Sequence, residues 1–225
     1  MKIMPIKNNS HLVIFDFETT GLDTTKCQPY EIAAKIYNER SLEPIPNAEF
    51  VMLCRPSKDC TIEEESLKIT GVKREDIEKA SPIEIVYPKF IEWLLKYNPE
   101  QSKWTAPIAC GHNINRFDIL IHRNMMLKFG KKYKYSFNEM HTIDLMDLAR
   151  LFFSNTNEIT AYNLNALRQF FGIPTEGAHR ALKDVEDAGW MITKLLRFQR
   201  KIVDTHLNKM KNAYSKDKVA QSCLS

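Results

Sequence analysis

The chain has 225 residues, with 44% apolar and 10% aromatic side chains and a net charge of +4. Such a composition supports a packed core and excludes an intrinsically disordered chain. No apolar run approaches the roughly 20 residues of a membrane-spanning helix, and the first residues hold too short an apolar stretch for a secretory signal. The cysteines, Cys27, Cys54, Cys60, Cys110 and Cys223, are odd in number and form no Cys-x-x-Cys pair. They predict reduced thiols in a cytoplasmic protein without structural zinc. From Arg197 onward seven Lys/Arg face two Asp, a tail of +5, whereas the remaining 25 basic and 26 acidic residues give −1.

Residues 1–10 read as a lead-in. An apolar run from Leu12 to Phe15 then predicts a buried strand that ends in Asp16-Phe-Glu-Thr-Thr-Gly21. Alternate residues of a strand share a face, so Asp16 and Glu18 stand side by side at its end. Two like charges there are unfavourable unless a proton or a cation compensates them. Either these are solvated acids at an ordinary strand end, or they are half of a carboxylate cage for a divalent metal. Tyr30–Tyr37 and Ala48–Cys54 suit two more strands, and three strands with short links predict an antiparallel start to a sheet.

Helical signals follow. Thr61 is the expected cap of a short helix closed by Gly71, with Glu63, Glu64 and Glu65 in its first turn. Ser81-Pro82 opens the next helix, which runs to Tyr97. Asn98–Pro107 is a polar loop, Ile108–Gly111 a short strand, and Phe117–Phe129 a helix stopped by Gly130. Lys131–Phe137 mixes lysines with aromatics, as an exposed linker or a nucleic-acid-facing loop does. Further helices are expected over Thr142–Phe153, Thr160–Phe171 and Ala181–Phe198, the second ended by Gly172 and Pro174. Strands first and helices later indicate one mixed α/β sheet domain over residues 11–198, with a basic and partly disordered extension over 199–225.

A cage built on Asp16 and Glu18 needs partners from elsewhere. Asp118 opens the helix after the short strand, and Asp184 lies in the first turns of the last helix. His179 precedes Asp184 by five positions, a rotation of about 140° on a continuous helix, so it works best on the loop before that helix. A loop histidine with an ordinary pKa near 6.5 suits a general base. Taken singly, each of these acids is more often structural. Asp144, Asp147 and Glu186 compete with them, as His11, His112 and His122 compete with His179.

The set as a whole is more specific. Asp16-Phe-Glu-Thr-Thr-Gly21, Gly111-His-Asn-Ile-Asn-Arg-Phe-Asp118 and His179-Arg-Ala-Leu-Lys-Asp184 together resemble the DEDDh branch of the DnaQ-like 3′→5′ exonucleases. That family includes replicase proofreading subunits, exonuclease I, the TREX enzymes, RNase T and oligoribonuclease. The stretches from Leu67 to Pro82 and from Asn163 to Ile173 resemble the family's connecting helices, so the likeness covers roughly residues 11–198. In the second motif, His112-Asn-Ile-Asn-Arg-Phe-Asp118 has one residue more than the replicase form and stands nearer the Arg-Phe-Asp of exonuclease I and TREX-like enzymes.

The resemblance implies a ribonuclease H-like fold, a central mixed sheet flanked by helices. It implies that Asp16, Glu18, Asp118 and Asp184 hold two Mg²⁺ or Mn²⁺ ions and that His179 is the general base. Thr19, Thr20 and Gly21 would receive the terminal sugar and phosphate, and Leu22 would wedge between the last two bases. Asn113 and Phe117 would line the same pocket. The activity implied is stepwise release of nucleoside 5′-monophosphates from single-stranded DNA 3′ ends. Two alternatives stay open: a 3′→5′ exoribonuclease, and a proofreading or accessory subunit bound to a polymerase or another replication or repair protein. In the latter, the tail with Ile202, Leu207 and Met210 would dock the partner. No membrane partner is expected.

Overall fold

The computed structural model describes residues 10–130, 133, 135–175 and 180–222. Within them, five strands form one sheet: β1 (His11–Thr19), β2 (Pro29–Asn38), β3 (Pro44–Leu53), β4 (Ile108–Gly111) and β5 (Asn138–Asp144). The strand order is β3-β2-β1-β4-β5. The first three strands pair antiparallel, while β4 pairs parallel with β1 and β5 parallel with β4. The expected mixed sheet with an antiparallel start is therefore present. The chain divides into two compact units, Met1–Ile192 and Thr193–Ser225.

Strand periodicity decides which residues meet which layer. Val13, Phe15 and Phe17 of β1 face the main core with Ile32, Ala34 and Ile36 of β2. Helices α3 (Ile83–Leu95) and α4 (Asp118–Phe129) close this face through Ile83, Val86, Tyr87, Phe90, Ile91, Ile119, Ile121 and Met125. Burying each such side chain contributes about 1.5–3 kcal/mol. Asp16 and Glu18 belong to the other face. There α7 (Ala181–Ser222) approaches: Lys35 of β2 pairs with Glu186 at 3.1 Å, and a Cβ on Gly189 would stand 2.6 Å from the Tyr37 hydroxyl.

Several element boundaries differ from the sequence reading, each for a local reason. The expected helix over 142–153 begins later, at α5 (Leu145–Phe153), because Thr142 and Ile143 complete β5 and Ile143 pairs with Cys110. β-Branched residues accept this pleated, half-buried setting readily. Helix α1 (Glu64–Thr70) is capped by Glu63 rather than Thr61, with no side-chain hydrogen bond, and Gly71 closes it at φ 68°. An unexpected α2 (Arg74–Lys79) buries only Ile77, too little to leave a periodic trace. Helix α6 (Leu164–Phe171) starts later than Thr160, because the Asn163 side chain accepts the Ala166 N–H at 2.9 Å. The last helix passes Phe198 and continues to Ser222, since no glycine or proline follows Gly189. No helix among the described residues is long and apolar enough to cross a membrane.

Gly111 sits where β4 presses on β1. A Cβ there would lie 2.4 Å from Ile114 Cγ2 and 2.7 Å from the Phe15 carbonyl oxygen, which is backbone and cannot swing aside. Gly111→Ala is therefore expected to cost about 1–3 kcal/mol of stability, the usual penalty for overpacking. A urea-denaturation midpoint equal to that of the unaltered protein would contradict the close approach.

Candidate active site

The site forms where β1 leaves the sheet. Asp16 and Glu18 project from alternate positions of β1, and Asp184 arrives from the first turn of α7. One ligand atom from each of these three residues lies within 4.8 Å of the others. Asp118 is the first residue of α4 and is 3% exposed. Its Oδ1 accepts the Phe17 N–H at 3.0 Å, so it is locked to the strand between Asp16 and Glu18. The structure thus gathers four predicted acids from three distant stretches of chain. His179 lies outside the described residues.

Asp118 is placed by a residue that the sequence reading set among the competitors. Asp144, at the end of β5, accepts N–H groups from Asn113 at 2.9 Å, Asn115 at 3.1 Å and Met146 at 3.0 Å. One buried carboxylate therefore caps α5 and braces the turn leading from β4 to α4. Asn113 adopts φ 58° in that turn, a left-handed conformation that asparagine tolerates better than most residues. Phe117 is the cap residue of α4 and packs against the main core.

The segment after Glu18 is built by its own hydrogen bonds. The Thr19 hydroxyl donates to the Gly21 carbonyl at 2.9 Å, and the Thr20 hydroxyl accepts the Gln28 N–H at 3.1 Å. Glu63 donates its N–H to the Thr20 carbonyl at 2.8 Å, and its carboxylate occupies the space that a Gly21 side chain would need. Leu22 follows with 82% of its surface exposed. A leucine held in water beside an acid cluster is available for contact with something apolar.

Three charged residues at the site were not singled out from the sequence. Glu31 pairs with Glu18 across β1 and β2, is 2% exposed, and accepts from Arg180 at 3.0 Å. Arg168 of α6 is fully buried and donates to Asp184. A signal for Arg168 exists: it stands on the stripe Leu164, Leu167, Arg168, Phe171, where i, i+3, i+4 and i+7 spacing calls for apolar residues.

Crowding shows in the acids' affinities for protons. Loss of hydration, then the charges of Asp118, Glu18, Asp184 and Glu31, hold Asp16 well above the usual carboxylate range. Loss of hydration, followed by Asp184, Glu31 and Asp118, pushes Glu18 up to about 8, against a smaller opposing effect of Arg180. Burial raises Asp118 to about 7, even though the Phe17 N–H favours its ionised form. An all-carboxylate oxygen donor set with this appetite for positive charge fits a hard divalent cation.

An open mixed sheet whose first strand ends in such a cluster defines the ribonuclease H-like class of nucleases. The RNase_T family model, described as an exonuclease, matches residues 13–189, and the chain belongs to that family of DnaQ-like exonucleases. It is 29% identical over 210 residues to the PolC-type DNA polymerase III of Thermotoga petrophila, covering 91% of this chain but only 13% of that protein. It is 27% identical over 184 residues to the DNA polymerase III epsilon subunit of Aquifex aeolicus, covering 82% of this chain and 79% of that one. Among solved structures, E. coli exonuclease I in complex with a dT13 oligonucleotide superposes with a TM-score of 0.70 at 20% identity, over 88% of this chain and 43% of that one.

The raised carboxyls bind protons more tightly folded than unfolded. Their contribution to stability is therefore complete in acid below the usual carboxylate range and is lost as the pH rises through about 7 and 8. A divalent cation takes over where the protons leave. The gain in melting temperature from Mn²⁺ over EDTA is thus expected to grow steadily from pH 5.5 to pH 8.5. A gain that is flat across this range would mean that the acids titrate as ordinary surface carboxyls.

Proposed function

We propose that the protein is a divalent-metal-dependent 3′→5′ exonuclease that removes nucleoside 5′-monophosphates from single-stranded DNA ends. The observation that carries this reading is the convergence of Asp16, Glu18 and Asp184 within 4.8 Å, with Asp118 tied to the intervening backbone. Asp16, Glu18, Asp118 and Asp184 would hold two Mg²⁺ or Mn²⁺ ions. When bound, such ions acidify water and offset the charge of a departing alkoxide. His179 accepts the proton of the attacking water. Attack on the last phosphodiester breaks the bond to the 3′ oxygen of the penultimate nucleotide, which leaves on the shortened strand.

The remaining residues orient the strand. Thr19 and Thr20 hold the loop that offers Gly21 to the terminal sugar and phosphate. Leu22 inserts beside the last base as an apolar wedge, and Asn113 and Phe117 line the same pocket. DNA is favoured over RNA by the likeness to exonuclease I, whose structure holds a dT13 strand. The reading as a polymerase-bound proofreading subunit is favoured by the similarity to the epsilon subunit and PolC. In that case the chain after Leu196 docks the partner, and truncation there keeps cleavage while losing a co-purifying polymerase.

A 3′-labelled single-stranded oligonucleotide is expected to release labelled mononucleotide with Mg²⁺ or Mn²⁺ and to stay intact in EDTA. An intact strand in the presence of either metal refutes the proposal. Matched RNA strands and mismatched duplexes in the same assay rank the substrates. Asp16→Ala and Asp184→Ala are expected to abolish turnover, and wild-type rates in either would remove the metal assignment. His179→Ala is expected to slow cleavage by about 10²–10⁴-fold, the range for a lost general base.

A further inference from the structure

Among the described residues, one charged side chain has no exposed surface at all, and it is a cation. Arg168 is fully buried on α6, where its helical stripe calls for an apolar side chain. A buried guanidinium persists only when its donors are matched, and here all three sides are engaged. Nη2 donates to Asp184 Oδ1 at 2.6 Å, Nε to Asp187 Oδ2 at 2.8 Å, and Nη1 to Asn165 Oδ1 at 2.9 Å. Asp187 lies one turn beyond Asp184 on α7 and also accepts from Lys183 Nζ at 2.6 Å. The result is a chain of alternating charges, Lys183, Asp187, Arg168, Asp184, ending on a member of the carboxylate cluster.

The geometry points to Arg168, anchored by Asp187, as the positioning residue that aims the Asp184 carboxylate into the metal site. The inference rests on the metal reading of the cluster given above. Asp187 cancels the charge that Arg168 brings, so the clasp works chiefly by geometry. A planar fork gripping two carboxylates on one helix face fixes the rotation of α7 as well as the rotamer of Asp184. Without it, Asp184 can relieve its repulsion from Asp16 and Glu18 by turning away. The family motifs run through Asp184, but the residue that holds it comes from a separate helix.

The test is Mn²⁺ binding to the full chain without nucleic acid, followed by the free-ion EPR signal. It is paired with the Mn²⁺ concentration for half-maximal cleavage and the KM for a single-stranded oligonucleotide. Arg168→Lys keeps the charge and loses the fork. Asp187→Asn keeps Arg168 and weakens its anchor, and serves where the lysine variant does not fold. Both variants are expected to need about 10–100-fold more Mn²⁺ in binding and in cleavage, as loss of an outer hydrogen-bond partner usually costs. KM for the oligonucleotide stays unchanged. A folded Asp187→Asn protein whose Mn²⁺ titration superposes on that of the unaltered chain overturns the inference, even if it melts at a lower temperature. An unaltered chain that binds no Mn²⁺ overturns the metal reading itself, and the inference with it.

Discussion

Repulsion among carboxylates is the constraint around which this molecule is arranged. Two like charges 4 Å apart repel by about 4 kcal/mol at an effective dielectric near 20. Three acids within 4.8 Å and a fourth beside them therefore oppose folding wherever they are ionised. The apolar layers beneath β1, from Phe15 and Phe17 to Phe90, supply the opposing free energy. Burial first, and for Asp16 and Glu18 the neighbouring acids next, raise the proton affinities of Asp16, Glu18 and Asp118, and a divalent cation would offset both effects.

Three devices deliver the four acids. β1 supplies two by the period of the pleat. The turn between β4 and α4 supplies Asp118, because Asp144 accepts the N–H groups of Asn113 and Asn115 and the Phe17 N–H fixes the Asp118 carboxylate itself. Helix α7 supplies Asp184 under the grip of Arg168. Close approach is permitted by the absence of side chains at two contacts, Gly111 against β1 and Gly189 against Tyr37. A rigid cluster then stands beside a contrasting neighbour, the exposed Leu22. On the proposed reading, the acids act on the phosphate and Leu22 contacts the base.

Much of this was readable from the chain. The pair Asp16 and Glu18 announced itself through strand alternation, and Asp118 and Asp184 through their positions at helix starts. Motif order then joined them, with the family match over residues 13–189 as its counterpart. Local sequence misled where a tertiary partner outweighed it. Thr142 and Ile143 joined a strand because Cys110 was there to pair with, and Asp144, which seemed an unremarkable competitor, became the brace of the second motif. Arg168 carried a trace of its role, as a charge on an apolar stripe, but nothing in its neighbourhood named Asp184 and Asp187 as its partners.

By itself the sequence determined the family, the identities of the acids and the kind of ion that they suit, because carboxyl chemistry and motif spacing are local properties of the chain. Tertiary structure alone decided how close the acids stand, how strongly Asp16, Glu18 and Asp118 hold a proton and which cation restrains Asp184. Those quantities depend on distances between segments more than a hundred residues apart, and Coulomb interactions and burial are set by distance in space rather than along the chain.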